Sequence, residues 1–166
     1  MRVLVRGGNC LDFAGDAVLL FHYSDVRPLE GALGLLDWRC NAVVSRLLKK
    51  KRDLFEYGSL SILAPQGKIP SSKVLITGLG PRGSFDADLR REILRISLLG
   101  ARKVGGSKIA LDTGILERDI RENIPEDLAG IIEESDLGPD LTIALFRYSR
   151  RWAGEEQDSA RRPGEP

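Results

Sequence analysis

The stretch Lys73-Val74-Leu75-Ile76-Thr77-Gly78-Leu79-Gly80-Pro81-Arg82-Gly83 decides the fold class. Val74 to Ile76 form an apolar run without alternation, so neither face of a strand built from them can be left to water. Gly78, Gly80 and Gly83 then mark a turn. Asp86 beyond them is a helix N-cap. Leu89, Ile93, Ile96 and Leu99 recur at helical spacing until Gly105-Gly106 stops the helix. A buried strand, a glycine-rich turn and an amphipathic helix make the repeating unit of an α/β sheet.

The same grammar extends in both directions. Upstream, Asp16 to Tyr23 carries the run Ala17-Val18-Leu19-Leu20-Phe21, a second strand covered on both faces. A short opening strand, Arg2 to Arg6, precedes it and ends at Gly7-Gly8-Asn9. Between them and the central stretch, Leu29, Ala32, Leu33 and Leu36, then Cys40, Val43, Val44, Leu47 and Leu48, predict one long or two short helices from Pro28 to Lys51, with Pro28 in the first turn. Gly58 to Leu63 reads as a short strand. Downstream, a strand over Lys108 to Asp112, a helix opening at Asn123-Ile124-Pro125-Glu126 and a closing strand over Leu141 to Phe146 complete the pattern. The sum is a three-layer α/β domain over residues 1–149: a mixed, mostly parallel sheet with helices on both faces. Residues 150–166 are polar and lack periodicity, and are read as a disordered tail.

Bulk properties exclude several function classes. With 166 residues, 42% hydrophobic and 30% charged, the chain reads as one ordinary globular domain. A net charge of +1 supplies no global pull toward nucleic acid or anionic membrane. Two cysteines, Cys10 and Cys40, make no disulfide framework, and no run approaches the ~20 apolar residues of a membrane span. A cytoplasmic setting is the expectation.

Chemistry-bearing residues are sparse. The single histidine, His22, leaves little for a nucleophile–base pair. Cys40 falls on an apolar helical stripe, where a buried, inert thiol is the ordinary case. The acids Glu117, Asp119, Glu122, Glu126, Asp127, Glu133, Glu134 and Asp136 are spread along helices and loops, so neither a metal site nor a cofactor is expected. Lys49-Lys50-Lys51-Arg52 reads as a solvated, dipole-compensating helix end and not as a nucleic-acid patch. The glycine-rich turn is the candidate ligand site. Gly78, Gly80 and Gly83 let main-chain N–H groups approach a phosphate, and Arg82 adds charge. Pro81 removes one donor, and the spacing matches neither a P-loop nor a dinucleotide fingerprint.

The ordered segments carry a resemblance as well. Ser24-Asp25-Val26-Arg27-Pro28-Leu29-Glu30-Gly31-Ala32-Leu33 follows the Ala17–Phe21 strand, Phe55-Glu56-Tyr57-Gly58 leads into Ser59–Leu63, and Lys73 to Gly80 ends a later strand. This succession resembles the N-terminal domain of the M17 leucyl aminopeptidases, over roughly Ala17 to Asp112. The resemblance implies a macro-domain-like fold. It implies no hydrolysis, because the family's two-metal site lies in its C-terminal half and the signature Asn-Thr-Asp-Ala-Glu-Gly-Arg does not occur in this sequence. The expectation is a stand-alone, non-catalytic domain serving as a protein-interaction or regulatory module, with a protein partner or self-association. The alternatives are a small-ligand module for a phosphate or nucleotide at Gly78–Gly83, and an accessory subunit of a separately encoded cytosolic metalloaminopeptidase.

Overall fold

The computed structural model describes residues 1–84, 86–119 and 124–147, and for 117–119 the course of the helix alone. The expected tail, 150–166, and the predicted helix start at Asn123 lie outside the described residues. The strands are β1 (Arg2–Arg6), β2 (Ala17–His22), β3 (Leu60–Leu63), β4 (Lys73–Gly78), β5 (Lys108–Asp112) and β6 (Thr142–Phe146). The helices are α1 (Gly31–Arg39), α2 (Val43–Lys50), α3 (Ala87–Lys103), α4 (Gly114–Asp119) and α5 (Ile124–Glu134). One six-stranded sheet runs in the order β1-β6-β5-β2-β4-β3. Every neighbouring pair is parallel except the edge pair β3 and β4.

Period-two alternation sorts the strand residues into two cores. Leu19 and Phe21, Leu75, Ile109 and Leu111, Ile143 and Leu145 pack with Ile93, Leu94 and Leu98 of α3 and with Leu128 and Ile131 of α5. Val18 and Leu20, Val74 and Ile76, Ala110 and Ala144 pack with Leu33 and Leu36 of α1 and Val44 of α2. Both faces of β2 and β4 are therefore covered, which is why their sequences read as unbroken apolar runs. Ile96 lies only half-buried, at the rim of the α3 stripe.

The region from Pro28 to Lys51 forms two helices because Asn41 and Ala42 both take left-handed backbone, with φ of 55° and 58°. Asp37 of α1 seals the break: its carboxylate accepts from the main-chain N–H of Val44 and Ser45 at 2.7 and 3.0 Å and from Ser45 Oγ at 2.6 Å. Satisfying the first-turn donors of a helix in this way is worth about 1 kcal/mol. Pro28 stands outside the helix instead of in its first turn. The chain is still leaving β2 there, and Glu30 is the N-cap residue. Asp86 caps α3 as expected, accepting from Leu89 N at 2.9 Å. The short helix α4 has no counterpart in the sequence reading.

At the amino ends of the strands, Asp16 ties β2 to β5. Its carboxylate accepts from Ser107 N, Ser107 Oγ and Lys108 N at 2.8, 2.8 and 2.7 Å. Those bonds, led by the Lys108 amide, hold the Asp16 carboxyl below the usual range.

Candidate functional site

The glycine-rich turn closes on itself. At the end of β4 the three successive amides are all engaged: Gly78 N donates to Ser59 O at 2.9 Å, Leu79 N to His22 O at 2.9 Å and Gly80 N to Phe55 O at 3.1 Å. Gly78 is glycine for lack of room, since a Cβ there would stand 2.2 Å from Glu56 O and 2.5 Å from the Phe55 carbonyl carbon. Gly80 needs its left-handed φ of 69°, and a Cβ would also press on Tyr57 at 3.1 Å. These two residues let the segment 55–59 cross over the strand end. Their amides serve the protein's own carbonyls.

The rest of the turn is exposed. Arg82 donates its main-chain N–H to Asp25 Oδ1 at 3.0 Å, and its guanidinium lies 5.8 Å from the centre of the Tyr23 ring. Nothing lies within 4 Å of a Cβ built on Gly83. Gly78 and Gly80 thus belong to the strand crossing, while Arg82 and Gly83 sit at the surface rim.

His22 is built into the same crossing. Its Nδ1 lies 2.8 Å from Tyr23 O, and its Nε2 accepts from Glu30 N at 3.4 Å. That pair of partners fixes the Nδ1–H tautomer of a neutral ring. The Phe55 ring lies 4.8 Å away, centre to centre. Burial pushes the imidazole pKa down, so the ring is neutral at physiological pH. Cys10 is buried, and desolvation aided by the Asp112 carboxylate pushes its thiol well up, away from nucleophilic character. Cys40 is half-buried and shifts the same way, chiefly by desolvation.

Two of these acids, Asp127 and Glu134, find structural uses. Asp127 accepts from the buried Arg90 Nε at 2.7 Å, tying α5 to α3, and Glu134 accepts from Arg91 at 2.6 Å. Among the described residues no three His, Cys, Asp or Glu side chains gather as metal ligands. Lys49 and Lys50 end α2 and are exposed, as are Lys51 and Arg52 beyond it. No helix among the described residues is long and apolar enough to cross a membrane.

The open space lies one strand over. A cleft of about 320 Å³ sits above the carboxyl ends of β2 and β5. Phe21 of β2 and Ile115 of α4 supply apolar wall, with Leu33 of α1. Glu30 and Gly31 bring the start of α1 to it, and Asp112 and Gly114 bring the start of α4. The Asp112 carboxylate holds that second start by accepting from Gly114 N at 3.1 Å.

This is the sheet's switch point. The helix after β2 covers one face and the helices after β5 cover the other, so the two strand ends diverge and leave a crevice. Its volume is at the lower end of the ~300–1,000 Å³ of ligand pockets. The sequence reading singled out none of the cleft-lining residues as a site. β2 and β5 are far apart in the chain, and only the strand order brings them together. The one local signal is Asp112-Thr113-Gly114 directly after an apolar strand.

No family model matches the chain. It is 32% identical over 123 residues to the "Probable cytosol aminopeptidase" of Sulfurihydrogenibium sp. (strain YO3AOP1), a match covering 74% of this chain and 24% of that protein. A second "Probable cytosol aminopeptidase", from Roseiflexus castenholzii, is 30% identical over 140 residues, covering 82% of this chain and 25% of that protein. The chain thus spans about a quarter of the length of these curated relatives. Among solved structures, a Trypanosoma brucei macrodomain superposes with a TM-score of 0.70 at 15% identity, over 90% of this chain and 62% of that one. The macrodomain of Thermus aquaticus DarG superposes with a TM-score of 0.63 at 13% identity, over 87% of this chain and 97% of that one. The chain belongs to the cytosol (leucyl) aminopeptidase family, as a macro-domain-like region of the N-terminal type.

Proposed function

We propose that this chain, a macrodomain-fold relative of the cytosol aminopeptidases, is a non-catalytic binding module whose ligand site is the cleft between β2 and β5. The observation that carries the reading is the place of that cleft. It opens at the switch point of a doubly covered parallel sheet, where such folds bind ligands. A Trypanosoma brucei macrodomain of the same fold has been solved in complex with ADP and with ADP-ribose. The ligand class we assign is therefore an adenine nucleotide, taken by the cleft and not by the closed turn at Gly78 and Gly80. His22, Cys10 and Asp127 are each committed to structure, which supports a binding role over a catalytic one.

Thermal unfolding with ADP-ribose, ADP and inorganic phosphate tests this. Binding to the native state adds about 2.7 kcal/mol at a ligand concentration a hundredfold above Kd. ADP-ribose should raise the Tm, and Ile115→Trp, which fills the cleft, should abolish the rise. Unchanged melting at millimolar nucleotide sinks the ligand reading. Purified protein supplied with Mn²⁺ or Zn²⁺ should release nothing from leucine amide; metal-dependent turnover lost on mutating this chain would overturn the non-catalytic reading.

A second reading is supported by where the sequence similarity lies. Identity reaches 32% with an aminopeptidase, against 19% with a Trypanosoma brucei macrodomain and 11% with the macrodomain of Mycobacterium tuberculosis DarG. That favours a protein-interaction or regulatory role, including service as an accessory chain to a cytosolic metalloaminopeptidase, in the cytoplasm where such enzymes work.

A further inference from the structure

The edge strand β1 is finished unlike the rest of the sheet. Among the described residues it pairs with β6 alone. Arg2 N donates to Leu141 O at 2.9 Å, so Arg2 turns its main-chain groups toward β6. In a parallel ladder the bonding residues alternate, and Leu4 and Arg6 follow Arg2. The N–H and C=O of Val3 and Val5 therefore point away from the sheet, and no described residue meets them. Their side chains continue the face formed by Ile143 and Leu145, opposite which they sit in register. Those partners are buried, whereas Val3 is 39% and Val5 61% exposed. Arg2 and Arg6, both exposed, bracket this open apolar edge.

We infer that β1 is a docking edge for an extended segment of another protein, carrying apolar residues opposite Val3 and Val5 and carboxylates opposite Arg2 and Arg6. Main-chain hydrogen bonds along an open edge give such docking its affinity, and alternate side chains give it specificity. The charges decide the occupant. A second copy pairing antiparallel through both valines would place Arg2 opposite Arg6 at each end of the ladder, and directly opposed like charges are destabilising. Arginine thus guards the edge against self-pairing, as charged edge residues do. The same two guanidinium groups attract an acidic strand. Reading across the pairs, the partner pattern is acid–apolar–any–apolar–acid. This surface is separate from the β2–β5 cleft and stands whether or not that cleft takes a nucleotide.

The test uses the full chain and a fluorescein-labelled peptide, Ser-Glu-Val-Thr-Val-Glu-Ser, followed by anisotropy, with Ser-Lys-Val-Thr-Val-Lys-Ser as its charge-reversed counterpart. The acidic peptide should bind saturably and at least about tenfold more tightly than the basic one, a difference of about 1.4 kcal/mol. Arg2→Glu combined with Arg6→Glu should invert the preference. Val5→Pro removes an outward donor without touching the β6 ladder and should weaken binding about tenfold or more. The charge-reversed pair keeps the inference testable if Val5→Pro does not fold. Absence of saturable binding, binding indifferent to both variants, or a wild-type dimer by light scattering that Val5→Pro dissociates would overturn it. A nucleotide-induced Tm rise that persists in the Arg2→Glu, Arg6→Glu protein keeps the cleft reading independent of this outcome.

Discussion

The carboxyl end of β4 and the carboxyl ends of β2 and β5 lie along one edge of the same sheet and are finished in opposite ways. At β4 the chain returns over the strand end so closely that a single methyl group on Gly78 would overlap the main chain of Phe55 and Glu56. The amides there serve the protein's own carbonyls. At β2 and β5 the following helices leave toward opposite faces, and a cleft of about 320 Å³ remains. Glycine is abundant in the first place and space in the second. Glycine content alone marks close approach of a backbone, and the approaching group can be a ligand or the chain itself.

The comparison breaks first if β4 is not a buried strand that needs a sealed end. Ile76→Ala should cost on the order of 2–5 kcal/mol, a transfer loss plus a cavity, because Ile76 is 1% exposed and packs in the core beneath α1 and α2. Urea denaturation measures this. Lys50→Ala, at an exposed helix end, should stay within about 0.5 kcal/mol. Equal small costs for the two would remove β4 from the centre of the sheet.

Gly78→Ala comes next. Its added methyl would meet Glu56 O at 2.2 Å and Ser59 Oγ at 2.4 Å. Main chain must move to admit it, and overpacking of that kind costs about 1–3 kcal/mol. The same urea titration reads the loss. A neutral Gly78→Ala would mean that the segment 55–59 does not sit against the strand end, and the turn would return as a place for a ligand.

What was legible in the sequence follows from the same contrast. Val18 to Leu20, Val74 to Ile76 and Ile143 to Leu145 announced central strands because a strand covered twice cannot alternate. Asp86 announced the start of α3 because an N-cap side chain acts locally. The exposed strand β1 was legible from its bounding glycines, yet its edge position was not, since pairing partners are far away in the chain. The six residues of α4 are too few for a periodicity to appear. The cleft was invisible for the reason β1's edge was: Phe21 and Asp112 meet only through the strand order. The purpose of Gly78 was half legible, as close approach without the identity of what approaches.

His22 offers a smaller and slower lever on the sealed side. Burial lowers its folded pKa below the unfolded value of about 6.5. Its contribution is therefore fully present above that unfolded pKa and is lost as pH falls toward the folded one, because the unfolded chain then binds the extra proton. Urea midpoints should decline as pH falls below about 6.5. His22→Gln should flatten that decline while leaving the loss at more acidic pH that follows from Asp16, whose carboxyl is held below its usual range in the folded protein. An identical slope in both proteins would show that the ring is not held neutral between Tyr23 O and Glu30 N.

The smallest expected effect is the sharpest check on the closed turn. Gly83 follows Gly78 in the same loop, yet a Cβ on it meets nothing within 4 Å and its backbone is outside the left-handed region. Gly83→Ala should change stability by no more than about 0.5 kcal/mol, as surface substitutions do, and any gain would come from a stiffer unfolded chain. It should also leave the nucleotide-induced Tm rise untouched, because the cleft walls are Phe21, Leu33 and Ile115 and not this turn. Loss of the Tm rise in Gly83→Ala, with Ile115→Trp still responsive, would move the ligand from the β2–β5 cleft to the rim formed by Arg82 and Gly83. The roles given to the two strand ends would then be exchanged.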